Sequence, residues 1–464
     1  MSSTVVARRP AVQAPASLRP ATVRRASALL LRAALSAGGL AVLVLWWHDP
    51  ANLRDPAAVV TAMGRVAGLL AAYLVLVQVL LMARLPWFER AVGFDRLAGW
   101  HRGLGTNVVL LMVAHVLLVV EGYALADHRG AAAETWSVLT TFPSMLKATA
   151  GLVLFGAVAV SSARAARRRL SYEAWYAVHL GAYVAVALTF FHQTGTGADF
   201  IRNPTNRLLW TAMYVGVAGA VLLWRVVFPV RAWARHRMIV DQVVPEGEDA
   251  VSVWVRGRDL GALGARAGQF LLWRFIAPGH LGSAHPYSLS ARPDGNRLRI
   301  TVKVAGDHSA ALATLRPGTP VLAEGPFGHF TADARVGRRT LLIGGGSGMA
   351  PVRALAEELA GEPGVRPGDV VVLQRAGTRA DLLLGGELSV LADRGRIVLH
   401  SVVGHRAALA HDPLEPRRLA RLVPDVHERD IYVCGPAGMT ASVLAGLRHL
   451  GVPADRLHVE GFSL

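Results

Sequence analysis

The sequence predicts three modules in series: an all-α six-helix transmembrane bundle, an antiparallel β-barrel domain, and an α/β doubly wound domain. Three observations carry this reading. Six windows nearly free of charge fill the first half of the 464 residues, short β-branched runs follow from Met238, and strands alternate with helical patterns from about Arg339. At roughly 150 residues per domain, a chain of this length holds about three.

Composition supports the membrane portion. A hydrophobic fraction of 53% and a charged fraction of 17% are too apolar for a disordered or purely soluble chain. The 49 basic residues exceed the 32 acidic ones, a formal charge of +17 that by itself could suggest nucleic acid. The arginines instead cluster beside the apolar runs, so nucleic-acid binding is excluded as the reading. A single cysteine, Cys434, excludes an internal disulfide framework and any multi-cysteine zinc or iron–sulfur site. Metal chemistry would have to use histidine.

A helix crossing about 30 Å of hydrocarbon needs roughly 20 mostly apolar residues. The six windows run from Ala26 to His48, Val66 to Ala83, Gly103 to Val120, Ala148 to Ala163, Ala174 to Ala198, and Leu208 to Trp224. The first stays as an anchor rather than a cleaved signal, because its basic leader is long and five spans follow. Residues 1–25 form a basic leader expected to be disordered, and 26–236 form the bundle. Arginines fill the leader (Arg8, Arg9, Arg19, Arg24, Arg25), the second loop (Arg84, Arg90, Arg96, Arg102), the fourth (Arg164, Arg167, Arg168, Arg169) and the stretch after span six. The odd loops carry Asp49, Asp55, Glu121, Asp127, Glu134 and Asp199. The positive-inside rule then places the amino terminus and the carboxy-terminal half in the cytoplasm of a multi-pass plasma-membrane protein.

Four histidines lie in the spans, and ionisable groups at such depth are costly and face the bundle interior. His101 and His115 on span three are 14 residues apart, about 21 Å and 3.9 turns, so they share a face at two depths. His179 and His192 on span five are 13 apart, about 19 Å but 3.6 turns, which sets them on different faces unless the helix bends or bulges. Both spans run the same way, so His101 matches His179 near the cytoplasm and His115 matches His192 near the exterior. Imidazole is an axial ligand of haem iron, and two such pairs would clasp two b-type haems, one per leaflet. A membrane histidine can instead simply bond a neighbouring helix.

The runs VSVWV (251–255) and LRITVKV (298–304) mark the β domain, 237–335. The third module, 336–464, opens with a hydrophobic strand running into Gly344-Gly345-Gly346-Ser347-Gly348-Met349-Ala350-Pro351. The pattern of Gly346, Gly348 and Pro351 after a strand lets phosphate approach the backbone and meet a helix N-terminus. After the next strand come Gln374, Arg375 and Arg379, with no acid where a site for NADH would grip the ribose 2′-hydroxyl, so Arg375 and Arg379 favour the 2′-phosphate of NADPH over NADH.

FDRLAGWHRGLGTNVVLLMVAHVLL (94–118) and SYEAWYAVHLGAYVAVALTFFHQ (171–193) resemble the ferric reductase-like transmembrane domain of NADPH oxidases and ferric-chelate reductases. The soluble half resembles the ferredoxin reductase module. The resemblance implies that His101, His115, His179 and His192 are the haem ligands, that the barrel binds FAD and that the sheet binds NAD(P)H. It sets His285-Pro286-Tyr287-Ser288 at the flavin motif, with an aromatic ring against the isoalloxazine and a hydroxyl at its polar edge. Many soluble members have arginine where this chain has His285, which leaves open the cation for the FAD pyrophosphate. Lys303 and the turn Gly306-Asp307-His308-Ser309 are candidates.

The string Cys434-Gly435-Pro436 resembles the module's motif whose cysteine lies beside the nicotinamide, although a buried cysteine is also an ordinary small hydrophobe. Phe462 stands near the place of the module's terminal aromatic that covers the flavin, or is part of a packed terminus. The activity implied is electron movement from NADPH through FAD and two haems to oxygen, giving superoxide, or to an extracytoplasmic ferric chelate. A quinone or a periplasmic redox protein is a further acceptor. From another class, the spans could be an anchor or transporter-like bundle for a flavin reductase without haem. No protein partner is indicated.

Overall fold

The computed structural model describes residues 21–47, 54–278, 280, 284–304, 306–405 and 414–461. Most of the basic leader and Phe462 lie outside the described residues, as does the side chain of His308. The chain divides into two compact units, Arg24–Ala232 and a second built on Trp233–Leu464.

The first unit is helical. Its long helices are Ala21–Trp47, Pro56–Leu81, Phe94–Ala126, Met145–Ser162, Tyr172–Thr196 and Pro204–Leu222, the last running on through a π-turn to His236. All six are long and apolar enough to cross a membrane. Asp55, Ser171 and Asn203 accept hydrogen bonds from the first turns of the second, fifth and sixth spans, which fixes where each begins. The second span packs along the third and the fourth along the fifth, forming two hairpins.

Small residues set the closeness of the first hairpin. A Cβ on Gly64 would meet Val119, one on Gly122 would meet Thr61, and one on Gly68 would fall on the imidazole of His115. The third and fifth spans make few backbone approaches to one another, so what connects them is side chains.

The second unit holds eleven strands among the described residues. β1 (Ile239–Pro245), β2 (Ala250–Arg256), β3 (Phe270–Phe275), β4 (His285–Ser288), β5 (Arg297–Lys303) and β6 (Val321–Phe327) make two three-stranded antiparallel sheets, β1-β2-β5 and β4-β3-β6. Alternate side chains including Val253, Val255, Leu271, Trp273, Phe275, Leu298 and Ile300 fill the space between them. The expected barrel is, among the described residues, a pair of sheets whose strands meet through the isolated bridges Ile239–Pro320 and Leu289–Ile300. Pro286 in β4, Pro320 at one bridge and Pro326 in β6 each lack a backbone N–H to give to a ladder.

β7 (Thr340–Gly345), β8 (Val370–Ala376), β9 (Val398–Val403), β10 (Asp430–Cys434) and β11 (Leu457–Glu460) form one parallel sheet in the order β11-β10-β7-β8-β9. Cores on both faces explain its near-continuous apolar strands: Leu342, Val372 and Tyr432 bury on one side, and Leu341, Ile343, Leu373 and Val433 on the other. The chain starts at the central β7, builds outward to β9, then returns to β10 on the opposite flank. The order therefore reverses between β7 and β10, the position at which open α/β sheets bind ligands beyond their carboxyl ends.

Candidate functional site

In the helical unit, the rings of His101 and His179 lie 5.9 Å apart, centre to centre, at an interplanar angle of 63°. Those of His115 and His192 lie 6.4 Å apart at 59°. The fifth span is one continuous α-helix with no bulge, so the 13-residue spacing is met by rings that leave it from different flanks. Nδ1 of His101 donates to the carbonyl of Gln78 (3.3 Å), and Nδ1 of His115 to that of Gly64 (2.8 Å). Nδ1 of His192 is 2.9 Å from Oγ1 of Thr196. With Nδ1 engaged, Nε2 is the nitrogen left to bind a metal.

These residues fit a metal between each pair. A metal–imidazole bond is about 2 Å and the ring centre lies about 1 Å behind the nitrogen, so two rings on opposite sides of one ion have centres about 6 Å apart. Both observed separations match. Among the described residues no group of three or more His, Cys, Asp or Glu forms a cluster that could hold a metal ion by itself. Bis-imidazole ligation leaves four positions to a macrocycle, which is the donor set of a porphyrin.

In the two-sheet domain, β4 pairs with β3 so that His285 and Tyr287, two residues apart, share a face. Their rings lie 6.2 Å apart, centre to centre, with planes within 18° of parallel. The Tyr287 carbonyl accepts Nε1–H of Trp273 (3.0 Å), and burial pushes the Tyr287 hydroxyl above the ordinary phenol range. Pro286 is half-buried between the two rings in sequence, and Ser288 is buried.

Lys303 is already paired, 2.8 Å from Asp249 and 3.5 Å from Asp381, and these partners raise its pKa. The Ser309 hydroxyl bonds Gly306, accepting its N–H (3.0 Å) and donating to its carbonyl (2.8 Å). Asp249, Asp381, Lys303, Gly346 and Glu387 line a cavity of about 270 Å³ between the two domains of this unit.

At the switch point of the parallel sheet, Cys434 pairs in register with Gly344. The two turns interlock: a Cβ on Gly348 would fall on the Cys434 carbonyl, and one on Gly435 would lie 3.1 Å from the Gly345 oxygen. Only glycine permits this approach. Helix Met349–Ala360, with Pro351 in its first turn, and helix Ala437–His449, capped at Pro436, both begin here, so two N-termini meet at one crevice. Gly346 takes φ +56°, in the left-handed region. Burial, then the neighbouring Glu460 carboxylate, push the Cys434 thiol well above its ordinary value.

The guanidinium of Arg375 turns along the sheet and donates to the carbonyls of Ala376, Val402 (3.2 Å) and Gly404 (2.5 Å). Arg379 is exposed in the following loop. Sequence reasoning passed over two acids. Asp381 accepts from Thr378 and meets Lys303, and hydrogen bonding to Thr378 holds it below the usual carboxylate range. Glu387 takes a bidentate pair from Arg299 (2.6 and 3.1 Å) and another contact from Arg353 (2.5 Å), linking the domains. Both acids follow strand β8 in the sequence, which was the available signal.

The described residues thus hold six helices long and apolar enough to cross a membrane and, in the second unit, a parallel sheet whose switch-point crevice meets two helix N-termini. Residues 67–190 match the ferric reductase like transmembrane component and residues 342–444 match the oxidoreductase NAD-binding domain. The first match takes in His101, His115 and His179 and ends two residues before His192.

The flavohemoprotein of Chromobacterium violaceum is 29% identical over 254 residues, 50% of this chain and 61% of that protein. The NADPH oxidoreductase of Mycobacterium tuberculosis is 32% identical over 185 residues, 38% of this chain and 47% of that protein. The chain spans about 60% of the length of the flavohemoproteins it matches. Among solved structures, the ferredoxin reductase in carbazole 1,9a-dioxygenase is 24% identical over 49% of this chain and 68% of that one, with a TM-score of 0.41.

Proposed function

We propose that this chain is a transmembrane oxidoreductase that takes electrons from cytoplasmic NADPH and delivers them to an acceptor on the opposite side of the membrane, oxygen or a ferric chelate. The observation that carries the reading is the two-tier histidine arrangement, His101 beside His179 and His115 beside His192, each pair at a separation at which its two imidazoles would hold one haem. When bound, FAD supplies the conversion of a hydride pair into single electrons and two b-type haems supply one-electron carriers at two depths.

The chain's own residues prepare this chemistry. The Gln78 and Gly64 carbonyls orient the span-three imidazoles and keep their protons on Nδ1. His285 and Tyr287 offer two near-parallel rings to a tricyclic ring, and Ser288 closes β4 beside them. The interlocked turns at Gly344–Gly348 and Cys434–Pro436 expose backbone N–H groups at two helix N-termini, where a dinucleotide phosphate is favoured. Cys434 is held there as a neutral thiol. Exposed Arg379 is the cation that suits a 2′-phosphate. Arginine-rich even loops support a cytoplasmic carboxy-terminal unit in the plasma membrane. An inside-negative potential then assists outward electron movement by about 2.3 kcal/mol per 100 mV for a full crossing.

The test is spectroscopic first. Full-length protein purified in detergent should show a Soret band and two haems and one FAD per chain. NADPH oxidation should then be followed with oxygen, and anaerobically with ferric chelate or quinone, with superoxide detected in parallel. Absence of haem under adequate iron supply overturns the reading in favour of a membrane-anchored flavin reductase, and a dominant rate with one acceptor assigns the activity.

A further inference from the structure

Three of the four span histidines have Nδ1 in a hydrogen bond. The fourth does not: Nδ1 of His179 is buried and meets no partner among the described residues. A metal-bound imidazole whose second nitrogen is unanchored is free to rotate about its bond to the metal, which loosens ring plane and ligand strength together. Something else has to hold this ring.

The fold supplies an aromatic wall. Trp175 sits one turn before His179 on the fifth span, and its indole lies 5.0 Å from the imidazole, centre to centre, at 35°. The indole is itself fixed. Its Nε1–H donates to Oγ of Ser162 at the end of the fourth span (3.2 Å), and the Arg167 guanidinium lies 4.9 Å over its ring. Arg167 is set in turn by donating to the carbonyl of Leu170 (3.4 Å). Arg167, Trp175 and His179 thus form a run of ring contacts that joins the basic loop between spans four and five to the inner histidine pair. Each contact is of a kind that contributes where water is scarce.

We propose that Trp175 is the positioning residue of the inner histidine pair: its tilted indole packs against the His179 imidazole and limits its rotation, as the Gly64 carbonyl fixes His115 by a hydrogen bond. The inference rests on the haem reading of the histidine pairs and goes beyond it. It makes the two tiers unlike. The outer pair is held by bonds of 2.8 and 2.9 Å, whereas the inner pair has one bond of 3.3 Å and one aromatic contact.

The experiment uses full-length protein in detergent and the low-spin ferric EPR signals of its haems. His115→Ala leaves the inner signal alone, and Trp175→Leu is added to that variant and to wild type. The expected result is that Trp175→Leu shifts, broadens or removes the inner signal while the outer one, seen in the otherwise wild-type protein, keeps its position and serves as the folding control. Trp175→Phe, which keeps a ring to pack against the imidazole, should restore the inner signal, and Ser162→Ala should move it in the same sense by less. An inner signal unchanged by Trp175→Leu overturns the proposal. If Trp175→Leu loses both signals, Trp175→Phe and Ser162→Ala decide: an inner signal moved by Ser162→Ala supports it, and one unmoved by either overturns it. A wild-type protein without bis-histidine signals refutes instead the haem reading on which it rests.

Discussion

The carbonyl oxygen of Gly64 lies 2.8 Å from Nδ1 of His115, and four residues further along the same helix Gly68 lies flat against that imidazole. One turn of the second span therefore both orients the ring and makes room for it. Replacing Gly68 with alanine drives a Cβ into the imidazole, an overpacking of about 1–3 kcal/mol. Gly68→Ala is expected to lower the outer haem content of purified protein with the inner haem retained, measured by pyridine haemochrome and EPR.

His115→Ala removes a ligand from the outer pair only, since His101 and His179 form a separate contact. The expected outcome is about one haem per chain, with NADPH-dependent reduction of FAD preserved and transfer to an external acceptor lost. Unchanged haem content rejects the assignment.

Arg375 and Arg379 separate by their surroundings. The Arg375 guanidinium serves the carbonyls at the end of β9, whereas Arg379 is exposed. Loss of one charge-assisted bond to a 2′-phosphate costs about 1.4 kcal/mol or more, a factor of roughly ten. Arg379→Ala should raise KM for NADPH about tenfold and leave KM for NADH nearly unchanged. Arg375→Ala should affect both alike, through the loop it holds.

Glu387 joins two cations, Arg299 and Arg353, whose side chains are 4% and 11% exposed. Burial alone would raise its pKa, but the hydrogen bond from Arg299 and the charges of Arg353 and Arg299 outweigh this and hold the carboxyl below its usual value. Its contribution to stability is therefore complete above the unfolded carboxyl pKa, about 4.3, and is lost as pH falls through the lower folded value. Stability from this group should be flat from neutrality to about pH 5 and decline below. Glu387→Gln leaves two guanidinium groups facing each other and should cost about 2 kcal/mol, less than a fully buried pair because Glu387 is 34% exposed. The temperature of flavin release, followed by fluorescence, should drop at pH 7 and fall less steeply with acid than in the wild type, Asp381, Asp425 and Asp430 being likewise held below the usual carboxylate range.

Apolar windows and histidine spacing made the spans and the two depths legible, because both depend on local periodicity. The meeting of Gly344 with Cys434 was implicit in the alternation of strands, which forces a parallel sheet. Other features need partners distant in sequence. Lys303 reads as a free cation until Asp249 and Asp381 are brought to it, and Arg375 reads as a phosphate ligand until β9 presents its carbonyls. The separation of the β domain into two small sheets depends on which strands pair, which no pattern of β-branched residues reveals. Trp175 was hidden for the same reason, since its value lies in Ser162 and Arg167 beyond its own helix.

The sole sulfhydryl of the chain is fully buried at the end of β10, and burial and the Glu460 carboxylate raise its pKa. Alkylating reagents attack the ionised sulfur, so labelling has to wait for a local opening that exposes it. The protein thus carries a native clock: the rate at which iodoacetamide is consumed times each excursion of the nucleotide crevice, and a bound dinucleotide should slow it.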